Sequence, residues 1–138
     1  MAFHPYLYFD GNCREAFERY REIFGGELMV MDGTQAPPDA GIPPDKVDLV
    51  MHASLMGDGE LLMASDSYDD DFTRPTGMFV HYATTDIDRA KRIFAGLAEG
   101  GEIHVDGHEE FWTPFYASVT DRFGTPWQIS VDSAPDET

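Results

Sequence analysis

The word Gly25-Gly26-Glu27-Leu28 returns later in the chain as Gly100-Gly101-Glu102-Ile103. Each copy closes a stretch with helical spacing and opens one with strand spacing, glycine supplying the left-handed stop. Other words fall into register around these two. His52-Ala53-Ser54-Leu55 answers Tyr116-Ala117-Ser118-Val119, and residues 61–66 answer 127–132. At 138 residues the chain has the length of one domain. An internal repeat of this size therefore reads as one supersecondary unit written twice.

In the first copy, Tyr6-Leu7-Tyr8-Phe9 has the aromatic content of a strand. Asp10-Gly11-Asn12 is a turn, and Asn12 with Glu15 has the spacing of a capping box. Ala16, Phe17, Tyr20, Ile23 and Phe24 make one apolar helix face, and 27–31 reads as a second strand. Residues 32–45 hold Pro37, Pro38, Pro43 and Pro44 and cannot form a ladder strand. Segments 47–55 and 61–65 flank Gly57-Asp58-Gly59 as a hairpin.

The second copy repeats the order. A strand at 79–83 leads to a capping spacing at Thr85 and Asp88. Ile87, Ala90, Ile93, Phe94 and Leu97 form the helix face, followed by strands at 102–105, 115–119 and 127–131. The boundaries are module one at about 4–66, a linker at about 67–77, module two at about 78–132 and an acidic tail at 133–138. The fold class is α+β: two β-α-β-β-β modules whose mixed sheets curl around a cleft, with helices on the outer face. A sheet covered by a helix on one side leaves its other side free for such a cleft.

Charge narrows the partners. The formal net charge is -17, with two lysines and no arginine cluster, so nucleic acid and anionic lipid are excluded as partners. No apolar run reaches the roughly 20 residues of a membrane span, and no signal pattern opens the chain, so a cytoplasmic location is expected. Cys13 stands alone and can form no intrachain disulfide. A helix start can lower a thiol pKa and make it reactive, although a small packing residue is the simpler role.

Strand alternation sorts the remaining side chains. Leu7, Phe9, Tyr82, Thr84, Trp127, Ile129 and Val131 should face the helices. His4, Tyr6, Tyr8, Phe79, His81, Gln128 and Ser130 then face the cleft, an aromatic set with a few hydrogen-bonding groups, as small-molecule pockets have. A slip of one residue would exchange the faces. His81 and His52 are the candidates for acid–base catalysis, since imidazole titrates near neutrality. Trp112, in Glu110-Phe111-Trp112, is expected to lean over the cleft or a partner subunit. His104 and His108 are four apart, a metal spacing on a helix, but Gly107 and the strand context break it. Asp69-Asp70-Asp71 lacks the alternating spacing of a calcium loop. There is no nucleophile elbow, phosphate loop or Cys-x-x-Cys.

The chain resembles the PhnB-like branch of the vicinal oxygen chelate superfamily, the glyoxalase and bleomycin-resistance proteins. The resemblance is carried by Pro5-Tyr6-Leu7-Tyr8-Phe9-Asp10-Gly11-Asn12-Cys13, residues 20–26, His52-Ala53, Leu62-Met63-Ala64-Ser65-Asp66, Glu110-Phe111-Trp112 and residues 120–127. It implies paired modules and a homodimer. In metal-dependent members it also implies Zn, Ni, Mn or Fe held by His and Glu on the first and last strand of each module, acting as a Lewis acid or on oxygen. Those places fall here at His4 (Pro5 in the neighbouring register), Leu62, Phe79 and Gln128, with Leu62 and Gln128 as repeat equivalents. Only His4 is a strong ligand and Gln128 a weak one, so no cofactor is expected, and a divalent metal at His4 and Gln128 is the alternative. Some members carry a demethylubiquinone methyltransferase label. Asp10-Gly11-Asn12 lacks the Gly-rich cofactor loop of Rossmann-type methyltransferases, so that activity is not expected. The expected function is metal-free binding of a small aromatic or hydrophobic molecule, with sequestration as its purpose. A metal-dependent lyase or dioxygenase is the second reading, and a structural dimer without an open pocket the third.

Overall fold

The computed structural model describes residues 2–69 and 72–132. Asp70, Asp71 and the tail at 133–138 lie outside the described residues. The chain divides into two compact units, Met1–Arg74 and Pro75–Thr138. The first contains β1 (Tyr6–Phe9), α1 (Cys13–Phe24), β2 (Glu27–Asp32), β3 (Val50–Gly57) and β4 (Glu60–Asp66). The second contains β5 (Val80–Thr84), α2 (Ile87–Ala98), β6 (Glu102–Glu110), β7 (Thr113–Thr120) and β8 (Pro126–Val131).

The two sheets run β1-β4-β3-β2 and β5-β8-β7-β6. In each, the opening strand is parallel to the closing one and the other pairings are antiparallel. Neither sheet closes on itself. The class is α+β with mixed sheets, as the repeat implied, and each sheet carries one helix.

Apolar alternation explains which face the helix covers. Leu7 and Phe9 are buried while Tyr6 and Tyr8 are exposed. Phe9, Phe17 and Tyr20 continue the first core in edge-to-face contacts at 6.2 and 5.4 Å. In the second unit Ala90, Ile93 and Leu97 are buried, as are Trp127, Ile129 and Val131 on β8.

The Gly-Gly-Glu echo has a shared steric cause. A Cβ on Gly26 would sit 2.5 Å from the Met56 carbonyl oxygen, and one on Gly101 would sit 2.5 Å from that of Thr120. Glu27 and Glu102, next in line, pair with Met56 and Thr120. In both units the chain leaves its helix by sliding under the end of a neighbouring strand. Only glycine fits there.

The helix starts differ from the expected capping boxes. Asn12 makes no side-chain cap bond to α1. Instead Asp66, at the far end of β4 and 3% exposed, accepts from Gly11 N and Cys13 N, both at 3.0 Å, and from Val50 N at 2.8 Å. In α2 the cap is Asp86 rather than Thr85, accepting from Asp88 N and Arg89 N. The proline-rich stretch contains two short 3-10 turns, Gly33–Gln35 and Pro44–Lys46. The first is held by a true capping box at Asp32, whose carboxylate also meets Arg14 at 2.8 Å.

One equivalence of the repeat shifts by a residue. Ser67 N bonds Phe9 O at 2.7 Å and Asp132 N bonds Thr84 O at 2.9 Å, so Ser67 answers Asp132. Tyr6 pairs with Met63 as His81 pairs with Gln128. The counterpart of Gln128 is therefore Met63, not Leu62. Matching words of equal length cannot detect that offset, because the ladder, not the sequence, sets the pairing.

Candidate functional site

The face of the second sheet away from α2 carries a connected row of polar side chains. The ladder puts His81 opposite Gln128, and Ser130 opposite Tyr116. Since alternate residues of a strand share a face, these four point away from the side that carries buried Trp127, Ile129 and Val131. His81 Nδ1 lies 3.2 Å from Gln128 Oε1, and Nε2 lies 2.9 Å from Ser130 Oγ. A carboxamide oxygen can only accept, so Nδ1 carries the hydrogen, and Nε2 of the neutral ring accepts from the Ser130 hydroxyl. Gln128 Nε2 donates to Tyr116 Oη at 3.2 Å, which leaves the phenolic hydrogen available to a ligand.

Ser130 can reverse its role and accept. The Ser130 hydroxyl can therefore serve Nε2 either as donor or as acceptor. His81 is exposed and Ser130 is buried beside it. An aromatic wall adjoins this row. Trp112, in the turn between β6 and β7, meets Tyr116 edge-on at 5.8 Å and Phe111 at 5.0 Å. Trp112 is 57% exposed, which leaves much of its indole surface open to solvent.

Of the residues expected from sequence, His81, Gln128 and Ser130 are joined by hydrogen bonds, and Trp112 joins them through Tyr116. Phe79 is exposed one residue before β5. His4, Tyr6, Tyr8 and His52 belong to the first unit. There Tyr6 faces the His52 ring at 6.1 Å and Tyr8 stacks with Phe72 at 6.5 Å, while His4 is exposed ahead of β1. Tyr116 is the member of this row that sequence reasoning missed. The repeat held the signal, since Tyr116-Ala117 answers His52-Ala53 and His52 was already a candidate.

His104 and His108 both lie on strand β6, not a helix. His104 Nε2 meets Thr120 Oγ1 at 2.7 Å. His108 is held between the Asp106 carbonyl oxygen at 2.8 Å and Glu110 Oε1 at 2.7 Å, and these acceptors raise its pKa above the usual 6.5. The Cys13 thiol is pushed up to about 12, first by burial and then by the nearby Asp66 carboxylate, so the helix start does not activate it.

The family-type metal centre can be tested on the donors themselves. The structure puts Tyr6 beside Met63 and His81 beside Gln128 at the first and last strands. Gln128 Oε1 already accepts from His81. Among the described residues no three His, Cys, Asp or Glu side chains come together. That donor set does not fit a borderline divalent ion, which needs three or four such ligands. Among the described residues no helix is long and apolar enough to cross a membrane.

Over residues 1–130 the sequence matches the family described as 3-demethylubiquinone-9 3-methyltransferase. It is 30% identical to Protein YjdN of Escherichia coli (strain K12), over 95% of both chains. The structure is similar to that of protein PA1353 from Pseudomonas aeruginosa, with a TM-score of 0.88, 34% identity, and 97% and 99% of the two chains covered. It is also similar in fold to a putative 3-demethylubiquinone-9 3-methyltransferase, PhnB protein, from Bacillus cereus, with a TM-score of 0.73, 22% identity, and 95% and 99% covered. Glyoxalase-related proteins of solved structure share the fold.

Proposed function

Because the chain belongs to the family described as 3-demethylubiquinone-9 3-methyltransferase, the PhnB-like branch of the glyoxalase/bleomycin resistance/dioxygenase superfamily, we propose that it binds a small organic molecule without a metal. The site is the face of the second sheet away from α2. The observation that carries this reading is the wall of Trp112 and Tyr116 beside the row Tyr116–Gln128–His81–Ser130. Such a surface offers an aromatic ring a stacking partner and a polar substituent an oriented donor or acceptor. The same reading takes the protein as a cytoplasmic homodimer that sequesters its ligand, the two modules serving as one domain.

Methyl transfer is not part of the proposal. The amides of Gly11 and Cys13, which a cofactor loop would direct at its ligand, are both spent on Asp66. A catalytic variant of the same site has one specific support, the two-way hydrogen bonding of His81, which suits a general base.

Ligand screening with a panel of aromatic compounds tests the reading. A true ligand raises the melting temperature and quenches the fluorescence of exposed Trp112, while that of buried Trp127 persists. Trp112→Leu removes the quench, and Tyr116→Phe or His81→Ala weakens binding about tenfold. Treatment with a chelator leaves binding intact. A stabilising ligand whose effect vanishes with the chelator, or a panel without any stabilising member, overturns the proposal.

A further inference from the structure

The face of the first sheet away from α1 has a different chemistry. Met31 lies opposite His52, Met29 opposite Ser54, and Ser54 opposite Met63. Strand alternation gives these residues one face, opposite to buried Ala53, Leu55 and Ala64. Met29 is 56% exposed and Met31 40%. The ring contact with exposed Tyr6 at 6.1 Å puts the His52 imidazole on that same side. Among the described residues its ring nitrogens meet no hydrogen-bond partner. In contrast, both nitrogens of His81 and of His108 are engaged.

Side chains directly opposite in a ladder have Cβ atoms ~5 Å apart, and diagonal neighbours ~7–8 Å. His52 therefore has one thioether directly across from it, that of Met31, with Met29 and Met63 on its diagonals. Methionine is long and unbranched, so its sulfur can swing over these gaps, and the small Ser54 leaves the centre clear. Thioether sulfur is a soft, neutral donor that ranks poorly for Zn, Mg or Ca but well for Cu(I), and imidazole suits copper too. The net charge of -17 adds a general attraction for cations.

We propose that the first sheet binds a soft monovalent metal ion of the Cu(I) type between Met29, Met31 and the imidazole of His52, with Met63 as a further ligand. The donors lie on strands β2, β3 and β4. Tyr6 lies beside the His52 ring, where its aromatic face can support a cation. Cys13 is no competitor, because its buried thiol resists ionisation.

The test uses the whole protein with its methionine methyl groups isotope-labelled and Ag(I) as a redox-inert probe in chloride-free buffer. Cu(I) buffered by a competing chromogenic chelator serves as the second probe. The expected result is saturation at one ion per chain, with the methyl resonances of Met29 and Met31 and the ring of His52 moving together. Met31→Leu and His52→Ala should each weaken binding about tenfold or more. Met78→Leu and Cys13→Ser should leave it unchanged. Met→Leu keeps volume and apolarity, so the fold survives the exchange. Binding that does not saturate overturns the proposal. So does binding that persists in the Met31→Leu, His52→Ala double variant, or ligation that moves only other resonances.

Discussion

A buried carboxylate is costly unless its lone pairs are filled. Asp66 fills them with three backbone amides, and Asp121 does the same in the second unit with Phe123 N, Thr125 N and the Trp127 indole at 2.9 to 3.0 Å. Asparagine at position 66 keeps the shape but turns an NH2 group toward one set of donors. Asp66→Asn is therefore expected to cost about 2–3 kcal/mol, measured by urea unfolding, with the slope of the transition unchanged. At this scale the sequence was only partly legible. Asp66 was visible as part of a family word, but its bonds reach back 53 and 55 positions, and no local spacing reports that. Tyr116 went unseen for a related reason: its role depends on which residue of another strand lies opposite it.

At the scale of elements, strands and helices were readable because their apolar periods differ. The ends were less so. The spacing 12 to 15 suits a capping box, yet a partner from β4 serves the start of α1 instead. Strand β6 runs to Glu110, five residues beyond the segment that alternation supports, because its register against β7 shifts three times and blurs the period. The Gly-Gly pairs were legible as stops, while the carbonyl above the second glycine was not. That contact gives a clean prediction, since Gly101 carries no positive φ and so isolates the steric effect. Gly101→Ala should destabilise by about 1–3 kcal/mol through overpacking against Thr120 and Asp121. A calorimetric melt checks this, and an unchanged transition would mean that β7 yields at no cost.

At the scale of the whole molecule, two copies of one scaffold carry two chemistries. Where the first sheet has Tyr6, His52 and Met63, the second has His81, Tyr116 and Gln128 at the matching ladder places. Tyrosine and histidine have in effect exchanged positions. The third place is a thioether in one copy and a carboxamide in the other. The sequence foretold a duplicated scaffold; it could not show the exchange, because a one-residue offset hid Met63 behind Leu62. The large negative charge belongs to this scale too. Self-repulsion weakens the compact state, and raising salt from roughly 0.01 to 0.15 M shortens its reach from about 30 to 8 Å. The melting temperature is expected to rise over that interval, as followed by circular dichroism. A flat response would mean that the 26 acidic residues are spaced or paired well enough not to strain the fold.

Asp66 also has a meaning for how the chain is made. Helix α1 is synthesised long before the residue that satisfies its first amides. While the chain is still growing, the segment at 13–24 waits with an unfinished start until the last residue of β4 has emerged. The first module thus ties its opening turn to its closing strand, and a nascent chain that stops short of residue 66 holds all of α1 without the clasp that secures it.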